Sequence, residues 1–185
     1  MKKLLLSAVL AASFGAVALA PQTAKAVDGT ITFGGAVTAK TCTVKLNAGT
    51  NGSGTVTLPS VSTSAFSGLG TTAGETQFTI GVSGCATGMN TVATYFEAGP
   101  TVNSNGRLVV TTGGATNLDL QLLYSDGSIV TAGSAAATSG AGLANISSTT
   151  NSATLTYFVR YYQNSATAPT AGSVASSVNY SMIYN

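Results

Sequence analysis

Histidine and tryptophan are absent from this 185-residue chain, and charge is scarce, with seven basic and five acidic side chains. Without histidine, Ser-His and Cys-His catalysis are excluded, and the commonest metal ligand is missing. The five acids, Asp28, Glu75, Glu97, Asp119 and Asp126, are scattered along the chain. A two-carboxylate hydrolase would need a pair of them brought together, and Asp126 is already accounted for by a turn. No segment of helical periodicity is present, so no helix amino terminus exists to cradle a phosphate. Enzymatic activity, a metal centre and a cofactor are therefore not expected. Thr, Ser, Gly and Ala stand where charged residues usually do, which implies a surface of uncharged polar groups.

At the amino end Lys2 and Lys3 precede an apolar run from Leu4 to Ala20, followed by Ala24-Lys25-Ala26. A basic start, a short apolar run and a small-x-small site describe a secretory signal peptide. A membrane-spanning helix needs about 20 apolar residues, more than this run supplies. Residues 1–26 are read as the signal, with cleavage after Ala26 preferred over Ala20, since the latter would leave Pro21 first. Lys2, Lys3 and Lys25 leave with it, so four bases face five acids and the net charge becomes −1. Lys40, Lys45, Arg107 and Arg160 form no basic run, so nucleic acid is not an expected partner. Two cysteines, Cys42 and Cys85, remain in a secreted chain, and a single structural disulfide is expected, with a contribution of about 4 kcal/mol.

From Val27 onward the pattern is period two. Val27, Gly29, Ile31 and Phe33 share one side of an arm over residues 27–38, whose glycines leave gaps that would pack poorly as an internal strand. Extended pieces follow at Val37–Leu46 and Thr55–Leu58, then a Gly/Ser/Thr-rich loop to Gly74. Strands are expected at Thr76–Ser83, Val92–Glu97, Arg107–Thr111, Leu118–Tyr124 and Leu155–Tyr161, with Ser125-Asp-Gly-Ser128 turning into Ile129 and Val130. Residues 131–150 read as a long surface loop. The last segment, Gly172 to Asn185, alternates again, with Val174, Val178, Tyr180, Met182 and Tyr184 on one face. Many short strands joined by Gly-rich turns indicate an all-β sandwich.

The terminal segment, with Gly172 at its start, alternating apolar residues and Tyr184 next to last, resembles the carboxyl-terminal motif of chaperone-usher pilins. The signal peptide, the arm Asp28-Gly-Thr-Ile-Thr-Phe33, Cys42 shortly after it, and Cys85 closing Thr76-Gln-Phe-Thr-Ile-Gly-Val-Ser-Gly-Cys85 extend the resemblance, to the major subunit of type 1-like fimbriae, across the mature chain. The resemblance implies an incomplete immunoglobulin-like β-sandwich over residues 39–185, completed by a donor strand from a neighbouring subunit. Cys42 and Cys85 take the family's disulfide positions. Val27, Gly29, Ile31 and Phe33 become the donor strand, while Gly172, Val178, Tyr180, Met182 and Tyr184 become the chaperone and acceptor groove. The implied partners are a periplasmic chaperone, an outer-membrane usher and further copies of the chain, in a fimbria on the bacterial surface reached through the periplasm and supporting cell adhesion. The alternatives are a minor or tip subunit and a secreted monomeric binding module. A dedicated adhesin would need roughly another 100 residues for a separate binding domain.

Overall fold

The computed structural model describes residues 42–111 and 113–185. The signal peptide, the arm over residues 27–38 and its four inward residues lie outside the described residues. Nine strands are present among those described: β1 (Thr43–Leu46), β2 (Thr72–Ser83), β3 (Thr91–Phe96), β4 (Leu108–Val109), β5 (Leu118–Tyr124), β6 (Ile129–Val130), β7 (Leu143–Asn145), β8 (Ala153–Gln163) and β9 (Tyr180–Tyr184). They form two antiparallel sheets. The larger runs β1-β2-β8-β5-β4 with β6 beside β5, and the smaller runs β7-β3-β9.

Alternation explains the larger sheet. Phe78, Ile80 and Val82 of β2 face the core with Leu155, Tyr157 and Val159 of β8 and Leu120 and Leu122 of β5. The register places Phe78 opposite Tyr157 and Leu122 opposite Val159, so each inward side chain has a cross-strand neighbour. Val92 and Phe96 of the smaller sheet meet this face from the other side, Phe96 edge-on to Tyr157 with centroids 5.1 Å apart. Aromatic pairs of this geometry add about 0.5–1.5 kcal/mol beyond the area they bury. Tyr157 is fully buried, and its hydroxyl, beside Thr94, finds no hydrogen-bond partner of good geometry. Burial pushes its phenol up to about 12.

The opposite face of the larger sheet covers itself. Asp119 is only 2% exposed although it points away from the core. Its carboxylate accepts from Arg107 Nε at 3.1 Å, Asn103 Nδ2 at 2.9 Å and Asn164 Nδ2 at 2.8 Å. The Arg107 guanidinium lies 4.1 Å over the Tyr162 ring. On the next inter-strand pair Arg160 donates twice to Gln121 Oε1, at 3.0 and 2.8 Å, and reaches Glu75 at 3.5 Å.

Three expectations are corrected. Residues 131–150 are not simply a surface loop, because β7 lies within them and pairs with β3, and Ala132, Gly142 and Ile146 are buried. Thr55–Leu58 joins no ladder, so the extended piece expected there is not a strand of either sheet. The loop before β2 ends earlier than the composition suggests. β2 begins at Thr72 and bends through a register shift between Ala73 and Thr76, where Gly74 has φ +66° and a Cβ would lie 2.8 Å from the Tyr161 ring.

Cys42 and Cys85 are disulfide-bonded, 43 positions apart in sequence, and no free cysteine is present among the described residues. The bridge ties the residue before β1 to the turn after β2, so the β1–β2 ladder is closed covalently at one end.

Candidate functional site

The smaller sheet covers only part of the larger. β9 pairs with β3 from Val92↔Tyr184 to Phe96↔Tyr180, and among the described residues no strand lies on its other side. β1 likewise pairs with β2 alone. Between these two edges runs a groove of about 880 Å3. Its floor is the inner face of the larger sheet, from Leu108 through Leu120, Leu122 and Val159 to Phe78 and Ile80. One wall is built by Cys42, Val44 and Leu46 with residues 52–58, the other by Val178, Tyr180, Met182 and Tyr184.

The alternation of the terminal segment builds that second wall. Val178, Tyr180, Met182 and Tyr184 are half-buried, whereas Asn179, Ser181 and Ile183 are exposed. Tyr180 packs beside Phe96, with centroids 6.4 Å apart, and the Thr94 hydroxyl lies 3.8 Å from Met182 Sδ. Burial raises the phenol pKa of both Tyr180 and Tyr184. At Tyr184 the Cys42 backbone, which its hydroxyl faces across the groove, acts in the opposite direction.

Residues 173–177, of which Ser176 and Ser177 also line the groove, meet a second edge. Thr111 N–H donates to Ala175 O at 2.9 Å, Ala115 N–H to Ser173 O at 2.8 Å, and Ser176 Oγ to Val109 O at 2.7 Å. The segment therefore lines the β4 edge of the larger sheet before it crosses to β3 in the smaller one. Gly172, expected with the four groove residues, lies at the start of this crossing and does not line the groove. A Cβ there would sit 2.7 Å from Ala115 N, so glycine permits the close approach.

Sequence reasoning missed the first wall. Val44 and Leu46 carry a short alternation with exposed Thr43 and Lys45, which could have indicated it. Val56 and Leu58 alternate with Thr55 and Thr57 in the extended piece expected there, whereas Gly52, between Asn51 and Ser53, carried no such signal. The Tyr180 hydroxyl nevertheless donates to Gly52 O at 2.6 Å.

Chemically the site offers an apolar floor and a strand edge whose main-chain groups on one side are unpaired by any described strand. Such a site accepts an extended segment, with hydrogen bonds along the edge and pockets for alternate side chains. Glu97, which accepts from the Ser181 hydroxyl, is the one carboxylate among the described residues of its lining.

A family profile described as fimbrial protein matches residues 31–185. The major fimbrial subunit SMF-1 of Stenotrophomonas maltophilia is 44% identical over 178 residues, covering 91% of this chain and 99% of that protein. The F17 fimbrial protein of Escherichia coli is 38% identical over 168 residues, covering 86% and 88% respectively. Among solved structures, the P pilus rod subunit PapA superposes with a TM-score of 0.54 at 22% identity, covering 84% of this chain and all of that one. That last likeness bears on the fold alone, and it agrees with an immunoglobulin-like sandwich.

Proposed function

The chain belongs to the fimbrial protein family, and from that premise we propose that it is a structural pilin that polymerises by donor-strand exchange after delivery by a periplasmic chaperone and an outer-membrane usher. The observation that carries this reading is the edge of β9, which no other described strand pairs on that side, beside an apolar groove. The floor residues Leu120, Leu122, Ile80 and Phe78 belong to the buried core, and a strand laid beside β9 would cover the half-buried apolar walls, Val44 and Leu46 on one side and Val178, Tyr180, Met182 and Tyr184 on the other.

The occupant we assign is the arm of another copy, with Val27, Gly29, Ile31 and Phe33 facing the floor. Burying Val27, Ile31 and Phe33 contributes about 1.5–3 kcal/mol each, besides the main-chain ladder. Residues 1–26 would be removed on export, leaving Val27 first. Val178, Tyr180, Met182 and Tyr184 would meet the chaperone's strand first and the arm of the next subunit afterwards.

The test separates folding from polymerisation. Ile31→Asp places an unpaired charge against the floor, and Gly29→Asn adds bulk where the arm carries no side chain. Both variants should accumulate as chaperone complexes in the periplasm yet give few or no filaments by electron microscopy. Thr30→Ser, on the outward side of the arm, should assemble normally. Normal filaments from Ile31→Asp and Gly29→Asn would show that this arm is not the donor.

A further inference from the structure

The two walls of the groove are joined. Tyr180 Oη, from the β9 wall, donates to the carbonyl of Gly52 on the opposite wall at 2.6 Å. Both ends of this bridge are anchored. On one side the Tyr180 ring packs beside Phe96, its register partner on β3. On the other, Gly52 follows a turn in which Leu46 N–H donates to Asn51 O at 2.9 Å, and Asn47 exchanges hydrogen bonds with Thr79 of β2, 2.8 Å each. Gly52 is also the residue that permits the contact, because a Cβ there would stand 2.8 Å from the Tyr180 hydroxyl.

We propose that Tyr180 and Gly52 form a strap across the empty groove, which an incoming strand must undo before it can lie beside β9. This rests on the reading of the groove as a strand acceptor. A strand seated between β9 and the opposite wall occupies the space the bridge crosses, so the bond exists in the empty subunit and not in the filled one. A contact of that kind slows entry without affecting exit. It holds the unfilled groove against chance occupants, and it is already open in a subunit whose groove a chaperone fills.

The measurement is the binding kinetics of a fluorescent peptide with the sequence of residues 27–38, added in excess to the chaperone-free mature chain. Tyr180→Phe keeps the ring against Phe96 and removes only the donor. Gly52→Ala displaces the same hydroxyl from the opposite wall and leaves β9 untouched. Near-ultraviolet circular dichroism checks that each variant is folded. Both should bind about five- to tenfold faster than the unaltered chain, the factor expected for one hydrogen bond of ordinary strength, with an unchanged dissociation rate. Equal association rates in all three proteins would overturn the strap. So would faster dissociation from Tyr180→Phe, which would mean that the hydroxyl contacts the bound strand instead. Absence of peptide binding to all three would refute the donor-arm reading itself, and the strap with it.

Discussion

The two faces of the larger sheet solve the same problem differently. On the outer face Asp119, Gln121 and Leu123 of β5 are each buried to 3% exposure or less, because neighbouring strands and loops lay long side chains over them. Arg107, Asn103 and Asn164 donate to the Asp119 carboxylate, and Arg160 donates to Gln121 Oε1. The inner face has Leu120 and Leu122 on the same strand, themselves buried, at the floor of a groove whose apolar walls are only half-buried. Among the described residues one face is closed by polar side chains, and the other carries the groove. Charge-scarce composition thus conceals a division of labour: of Lys45, Arg107 and Arg160, the basic residues among those described, the two arginines sit on the self-covered face and none lines the groove.

Three measurements would break or sharpen this contrast. The largest effect is expected at the groove wall, where replacing Cys42 and Cys85 together by Ser frees the start of β1 and should cost about 4 kcal/mol by urea unfolding. If stability were unchanged, the wall would owe its position to the β1–β2 ladder alone. Next comes Asp119→Ala, which strands Arg107 and two amides on the outer face. A loss of about 3 kcal/mol is expected, at the lower end for a broken buried pair because Arg107 keeps some solvent contact. Binding of the peptide of residues 27–38 should not change, and a large change there would show that the two faces are not independent.

The smallest effect is alkaline. An unfolded chain gives up its phenol protons near pH 10, whereas Tyr157 holds its own to about 12. Its contribution is therefore whole below pH 10 and is lost as pH rises toward 12, on the order of 2 kcal/mol. Burial shifts Tyr124, Tyr161, Tyr180 and Tyr184 in the same direction. Tyr157→Phe should flatten this part of the pH profile and, by removing a buried hydroxyl without a good partner, should leave stability at pH 7 equal or higher. A steeper alkaline loss in the variant would contradict that account.

Legibility followed side-chain contrast. Phe78, Ile80 and Val82 alternate with Gln77, Thr79 and Gly81, so β2 could be read, as could β8, β9 and the Asp126 turn, whose carboxylate accepts from Ser128 N–H at 2.9 Å. The Thr131–Thr150 stretch offers Ala, Gly, Ser and Thr on both faces, and a strand such as Leu143–Asn145 gives no period over three residues. Asp119 misled in another way. Alternation places it outward, but burial there depends on Arg107 and Asn164, which no local pattern connects to it. Of the groove, the β9 wall was visible because its residues are large and spaced by two. The wall at Gly52 was hidden because what it contributes is a carbonyl.

β9 has its neighbour β3 about ninety positions earlier, Val92 opposite Tyr184. Pairings this distant in sequence close a large loop before they return any energy, and folding rates fall accordingly. Until β9 docks, the smaller sheet is only β3 with the three residues of β7, and the apolar floor is open to anything nearby. The interval before docking is the aggregation-prone stage of the chain's life. Any strand offered to β9 as a template would shorten that interval, and so would act on the folding rate as well as on the folded end state.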